Sequence, residues 1–130
     1  MNQREILFRG KRTDGRGWEH GDLIHNSLGV THISAPSKWL PCEVDPDTVG
    51  QFTGLLDKKG KKIFSGDIVK VWLKKYESVC LPTFQHGIIE YVYDAYWIIP
   101  ISRRASWRCL RNRPIEIIGN KWDNPELLEP

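Results

Sequence analysis

Apolar and polar residues alternate over short runs separated by turn-forming residues, a pattern that predicts strands rather than helices. Ile6 and Phe8 alternate with Glu5, Leu7 and Arg9 in a half-buried strand that ends near Gly10. The run Thr13-Asp14-Gly15-Arg16-Gly17 has turn chemistry, and Trp18 through His25 returns as a second strand. Two further short strands are expected at Val30 to Ser34 and Leu40 to Val44, the latter with Leu40, Cys42 and Val44 on one side. Asp45 can cap the single helical turn that Pro46 begins.

The stretch from Gln51 to Trp72 is the most informative. Two apolar runs flank Asp57-Lys58-Lys59-Gly60, a hairpin loop in which Gly60 takes the left-handed conformation of a bulged turn. After a bend at Ser65-Gly66-Asp67, the strand Ile68 to Leu73 puts Val69, Val71 and Leu73 on a core face and Ile68, Lys70 and Trp72 on the other. From Lys74 to His86 the pattern disappears, as in a connection. Gly87 to Tyr93 and Tyr96 to Ile101 form the most apolar hairpin, turning at Asp94-Ala95 and central in its sheet. Arg103 to Arg113 is the one place for a short helix, with Trp107, Leu110 and Arg111 at helical spacing, and Ile115 to Gly119 is a last strand.

Many short strands at close spacing make the fold class all-β: a small barrel or strongly curved antiparallel sheet with short helical turns at most. The alternative is an α+β domain with one helix near Trp107. A chain of 130 residues without repeat or low-complexity linker is expected to form one domain, 1–130.

Composition narrows the class. Hydrophobic residues are 40% and charged residues 27%, the balance of a globular chain rather than a disordered one. The longest uncharged stretches, Asn26 to Ser37 and Ser78 to Ile89, fall short of the roughly 18 apolar residues of a membrane span, and MNQREI has no apolar signal core. No membrane partner is expected, and the setting is cytoplasmic. Cys42, Cys80 and Cys109 are odd in number and widely separated, which fits free thiols in a reducing compartment. The net charge of +3 does not force a nucleic-acid partner, but its distribution is uneven. Lysines crowd Lys58 to Lys75 and arginines Arg103 to Arg113, while acids gather at Glu43, Asp45 and Asp47 and near the C-terminus. Such polarity suits head-to-tail self-association as well as an anionic ligand.

Catalytic chemistry is not legible. Gly60-Lys61 lacks the surroundings of a phosphate loop, and Ser65-Gly66-Asp67 reads as a bend rather than a nucleophile elbow. His20, His25, His32 and Cys42 are too dispersed for zinc, so no metal, cofactor or catalytic residue is assigned. The pairs Asp22 with His20 and Glu90 with His86 have acid/base composition, Glu90 being the one to inspect because it sits in an apolar strand. Six tryptophans are many for this length, and two stand among cations: Trp72 with Lys70, and Trp107 with Arg103, Arg104, Arg108 and Arg111. These residues form the candidate ligand surface, because aromatic rings stack bases while cations track phosphate.

Three segments together carry a family resemblance: REILFRGKR (Arg4 to Arg12), VDPDTVGQFTGLLDKKGKKIFSGDIV (Val44 to Val69) and IEIIGNKWDNPELL (Ile115 to Leu128). They resemble the YopX family of bacteriophage and prophage proteins. The resemblance implies a mainly β fold and a phage or prophage origin, and it transfers no biochemical activity. Its recurrent residues read as fold makers: Gly54, Gly60, Gly66 and Gly119 at turns or bulges, Asp67 and Asn120 accepting from nearby backbone donors.

The reading is therefore a phage accessory protein, a non-catalytic binding or self-assembly module. Its partner is unknown, a protein is favoured over nucleic acid, and a homo-oligomer suits the charge polarity. The alternatives are a single-stranded nucleic-acid-binding module and, third, an enzyme of unrecognised type.

Overall fold

The computed structural model describes residues 4–73, 84–102, 107–111 and 113–129. Among them the elements are strands and two 3-10 turns, with no α-helix. The strands are β1 (Phe8–Lys11), β2 (Trp18–His25), β3 (Thr31–Ser34), β4 (Cys42–Glu43), β5 (Gly50–Leu56), β6 (Lys62–Phe64), β7 (Asp67–Trp72), β8 (Phe84–Val92), β9 (Ala95–Pro100), β10 (Arg108–Cys109) and β11 (Ile115–Asn120). They form two sheets, ordered β4-β3-β2-β1-β5-β6 and β10-β9-β8-β7-β11. The mainly β expectation holds; the barrel does not, because each sheet stays open. The outer strands β4 and β10 are two residues each, too short to carry a closing ladder.

The chain divides into two compact units, 1–54 and 55–130. In the first, β1 pairs with β2 and with the start of β5, and Ile33, Ala35, Val44 and Phe52 are its buried apolar residues. Asp45 caps the turn Pro46–Thr48 by accepting from the Asp47 N–H at 3.0 Å. The Thr48 hydroxyl then accepts from the Lys11 N–H at 2.8 Å, tying the turn to β1. The strand expected at Leu40 to Val44 is cut to Cys42–Glu43. Pro41 has no N–H to give the ladder, so Leu40 falls outside the strand and is 78% exposed instead of facing the core.

In the second unit, Ile63, Val69, Val71, Ile89, Ile98 and Ile115 form one buried cluster. The hairpin from β5 to β6 turns at Asp57–Gly60, with Gly60 at φ +83°. Asp57 organises it: one carboxylate oxygen accepts from the Lys59 and Lys61 N–H groups at 2.9 and 2.8 Å, and the other accepts from the Ile117 N–H at 3.2 Å. The Asp67 carboxylate accepts from the Phe64 N–H at 2.8 Å, closing the bend before β7. At that bend Gly66 has φ +92°, and the Trp122 ring fills the space that a Cβ would need.

Strand β8 is central in its sheet, as the apolar pattern predicts. Its turn into β9 lies one residue earlier than expected, at Tyr93 and Asp94, both with positive φ (51° and 66°). Two consecutive positive φ values match the right-handed twist of the flanking strands, and Ala95 is thereby free to pair with Val92. The short helix expected within Arg103 to Arg113 is replaced over its described part by β10, whose Arg108 and Cys109 pair with Ile98 and Trp97. The open edge of β9 supplies backbone partners that an isolated helical turn lacks.

Candidate binding surfaces

Strand register decides which predicted residues share a surface. In β7, Val69 and Val71 enter the core, so Lys70 and Trp72 point to the opposite face of the sheet. Cross-strand pairing adds His86 opposite Lys70 and Phe84 opposite Trp72, and on the other side Glu116 opposite Lys70. The Lys70 Nζ lies 4.2 Å from the Phe84 ring centroid and 5.1 Å from that of Trp72. From the hairpin loop, the Lys58 Nζ comes to 3.8 Å from the Trp72 centroid. Glu116 answers part of this charge, with Lys59 at 2.9 Å and Lys58 at 3.7 Å. The hydrogen bond from Lys59 holds the Glu116 carboxyl below the usual carboxylate range and pushes the Lys59 ammonium up.

The arginine segment does not join this face as a unit. Arg103 and Arg104 lie outside the described residues. Arg108 donates from Nε to the Gln85 side chain at 3.3 Å, and Gln85 pairs with the core-facing Val71, which puts that contact on the other side of the sheet from Lys70. Arg111 is exposed beyond β10. Trp107 stacks edge-on against Trp97 at 6.3 Å between centroids. Trp97 is paired with Glu90, on the same side of β8 as His86, so the Trp107 ring does lie on the Lys70 face. Sequence reasoning missed Lys58, Lys59, Phe84 and His86, because only non-local pairing brings them beside Trp72.

The suspected Glu90–His86 pair is not a contact. Glu90 binds Lys121 at 3.0 Å and sits four residues, about 13 Å, along the strand from His86. His25 pairs opposite Thr31 and His32 opposite Ile24, while the Cys42 thiol donates to Glu19 at 3.3 Å. Buried Glu19 is also held by Lys38 and, at 3.5 Å, by Arg12. The Lys38 hydrogen bond overcomes burial and keeps the Glu19 carboxyl low. Burial, then the bond to Glu19, pushes the Cys42 thiol up. An open cavity of about 490 Å³ beside this cluster is lined by Lys11, Arg12, Glu43 and Asp45 among others. Arg12 is taken there by Asp14 at 2.6 Å and Asp45 by its turn, so these two charges serve structure.

The anchoring of Lys38 has an outward consequence. The residues that follow it, Trp39 and Leu40, are 101% and 78% exposed, on a loop bounded by Pro36 and Pro41. Among the described residues nothing covers the Trp39 indole, and its loop lies between two prolines and next to the Lys38–Glu19 ion pair. Single exposed apolar residues are ordinary, whereas Trp39 and Leu40 are adjacent and exposed together.

Fold and surfaces define a small protein of two open antiparallel sheets, with an apolar loop on one unit and a basic aromatic sheet face on the other. The chain belongs to the YopX protein family, whose model matches residues 8–129. It is similar to the crystal structure of protein EF1440 from Enterococcus faecalis, at 25% identity and a TM-score of 0.53, over 98% of this chain and 100% of that one. No curated protein matches it. No helix among the described residues is long and apolar enough to cross a membrane.

Proposed function

We propose that the chain is a non-catalytic binding and self-assembly module of a bacteriophage or prophage, acting in the host cytoplasm, whose copies associate through the Trp39–Leu40 loop. The exposure of Trp39 and Leu40 carries this reading. A two-fold contact brings the same loop of each copy together and needs no second complementary surface. Because the loop is held by Pro36, Pro41 and the Lys38–Glu19 pair, little flexibility is lost on contact. A tryptophan covers at most about 250 Å². Two such loops therefore bury less than the roughly 1,200 Å² of a stable specific interface, and the association is weak and reversible.

Three ionisable groups of the fold are poorly poised for proton transfer near neutral pH. A general acid or base works best near neutral pH, whereas the Glu19 and Asp57 carboxyls are held low and the Cys42 thiol is pushed up. Fluorescence tests the reading, since the difference between wild type and Trp39→Phe isolates the Trp39 emission. That emission is expected to move to the blue and lose iodide quenching as the protein is concentrated. Emission that stays red and fully quenchable at every concentration contradicts the proposal.

A further inference from the structure

The second unit carries a surface that self-association through Trp39 does not use. On one face of β7, β8 and β11 two rings, Trp72 and Phe84, lie side by side on paired strands. Lys58 and Lys70 stand within cation–π distance of them, Lys59 adjoins Glu116, and His86 is exposed at the next row. Among the described residues three lysines face a single carboxylate, so the patch is net positive.

From this we infer that the face spanning Lys58, Lys70, Trp72 and Phe84 binds single-stranded nucleic acid, its rings stacking bases and its lysines meeting phosphates. Charge complementarity selects a polyanion, and the paired rings select one with flat apolar groups at regular intervals along its backbone. An acidic peptide satisfies the first requirement and leaves the rings unused. A duplex satisfies the first and keeps its bases stacked away from the rings. Sheet faces that present aromatics from adjacent central strands are an established way of stacking unpaired bases.

The lysine positions suggest how binding proceeds. In the free protein the Lys58 ammonium lies over the Trp72 ring, 3.8 Å from its centroid. A base that stacks on Trp72 displaces this ammonium, which remains within a flexible side chain's reach of the phosphate beside that base. The aromatic site and a phosphate site thus open together. Glu116, which holds Lys58 and Lys59, opposes binding, so its removal strengthens it.

Fluorescence anisotropy with labelled oligo-dT and oligo-rU, a duplex of matched length and poly-glutamate tests the inference at several salt concentrations. Each neutralised phosphate on a single strand contributes a slope of about −0.7 in log affinity against log salt, so three lysines give about −2 and each Lys→Ala removes about 0.7. Trp72→Ala is expected to weaken binding about 5- to 150-fold and Trp72→Phe much less. Circular dichroism of each variant separates lost binding from lost folding. Glu116→Gln is expected to tighten binding severalfold and steepen the slope, a gain that misfolding does not produce. The oligo-dT and oligo-rU arms report whether the sugar matters. Absence of single-strand binding at low salt overturns the inference. So does affinity unchanged in Lys58→Ala and Lys70→Ala, or poly-glutamate binding as tight as oligo-dT and indifferent to Trp72.

Discussion

The ammonium of Lys58 lies 3.8 Å from the centroid of the Trp72 ring, so a loop cation caps an indole that belongs to a strand on the sheet face. A cation over an indole near the surface stabilises the fold by about 0.5–1 kcal/mol, and it also decides how far water reaches the ring. Lys58→Gln is therefore expected to leave the fold intact within about 1 kcal/mol. Acrylamide quenching of Trp72, read as the difference from Trp72→Phe, should increase in the variant. Unchanged quenching means that the ring is covered by something other than Lys58.

Gly66 and Trp122 form a pair whose substitutions should not add. An alanine at Gly66 meets both a left-handed backbone cost of about 1–2 kcal/mol and the Trp122 ring. Removing the ring in Trp122→Ala abolishes the second term and leaves the first. The double-mutant cycle in urea is thus expected to show a favourable coupling of about 1 kcal/mol or more between Gly66→Ala and Trp122→Ala. Additive losses contradict the packing.

Asp57 predicts an acid limb. Burial opposes its ionised form, but the N–H groups of Lys61, Ile117 and Lys59 outweigh burial and hold its carboxyl below the usual range. A depressed folded pKa means that the stabilisation is complete above the unfolded value of about 4 and is lost as pH falls through the folded value. Asp57→Asn should lower stability at neutral pH by about 1–3 kcal/mol, because its amide cannot accept from all three donors. The variant should also show a flatter decline below about pH 4. Urea midpoints from neutral pH to pH 3 check both statements: unchanged stability at neutral pH contradicts the first, and parallel pH profiles contradict the second.

Local signals were legible where chemistry and alternation agreed. The strand Trp18–His25 lies between two turns and has the expected bounds, and Asp45-Pro46 gives its cap and turn as read. The β8–β9 turn was displaced by one residue because Tyr93, a poor turn former, takes a positive φ that the twist of the hairpin imposes. Helical spacing in the arginine segment was outweighed by the backbone partners that β9 offers Arg108 and Cys109. The binding surfaces were least legible. Whether Arg108 shares a face with Lys70 depends on three pairing registers across four strands, and a tryptophan's exposure depends on what the rest of the chain fails to cover. Leu40 shows the same limit, since alternation placed it in the core and Pro41 ended the strand first.

Trp39→Ser removes an indole that touches nothing it stabilises, so thermal stability should change by no more than about 0.5 kcal/mol. A substantial loss of stability means that Trp39 packs within its own chain.

Sedimentation velocity across a wide concentration range tests self-assembly through the Trp39–Leu40 loop most directly. Wild type is predicted to shift reversibly from monomer towards dimer as concentration rises. Trp39→Ser and Leu40→Ser should remain monomeric at concentrations where wild type associates, with their circular dichroism unchanged. A strictly monomeric wild type across concentration and salt, or dimerisation that both variants retain, contradicts the account.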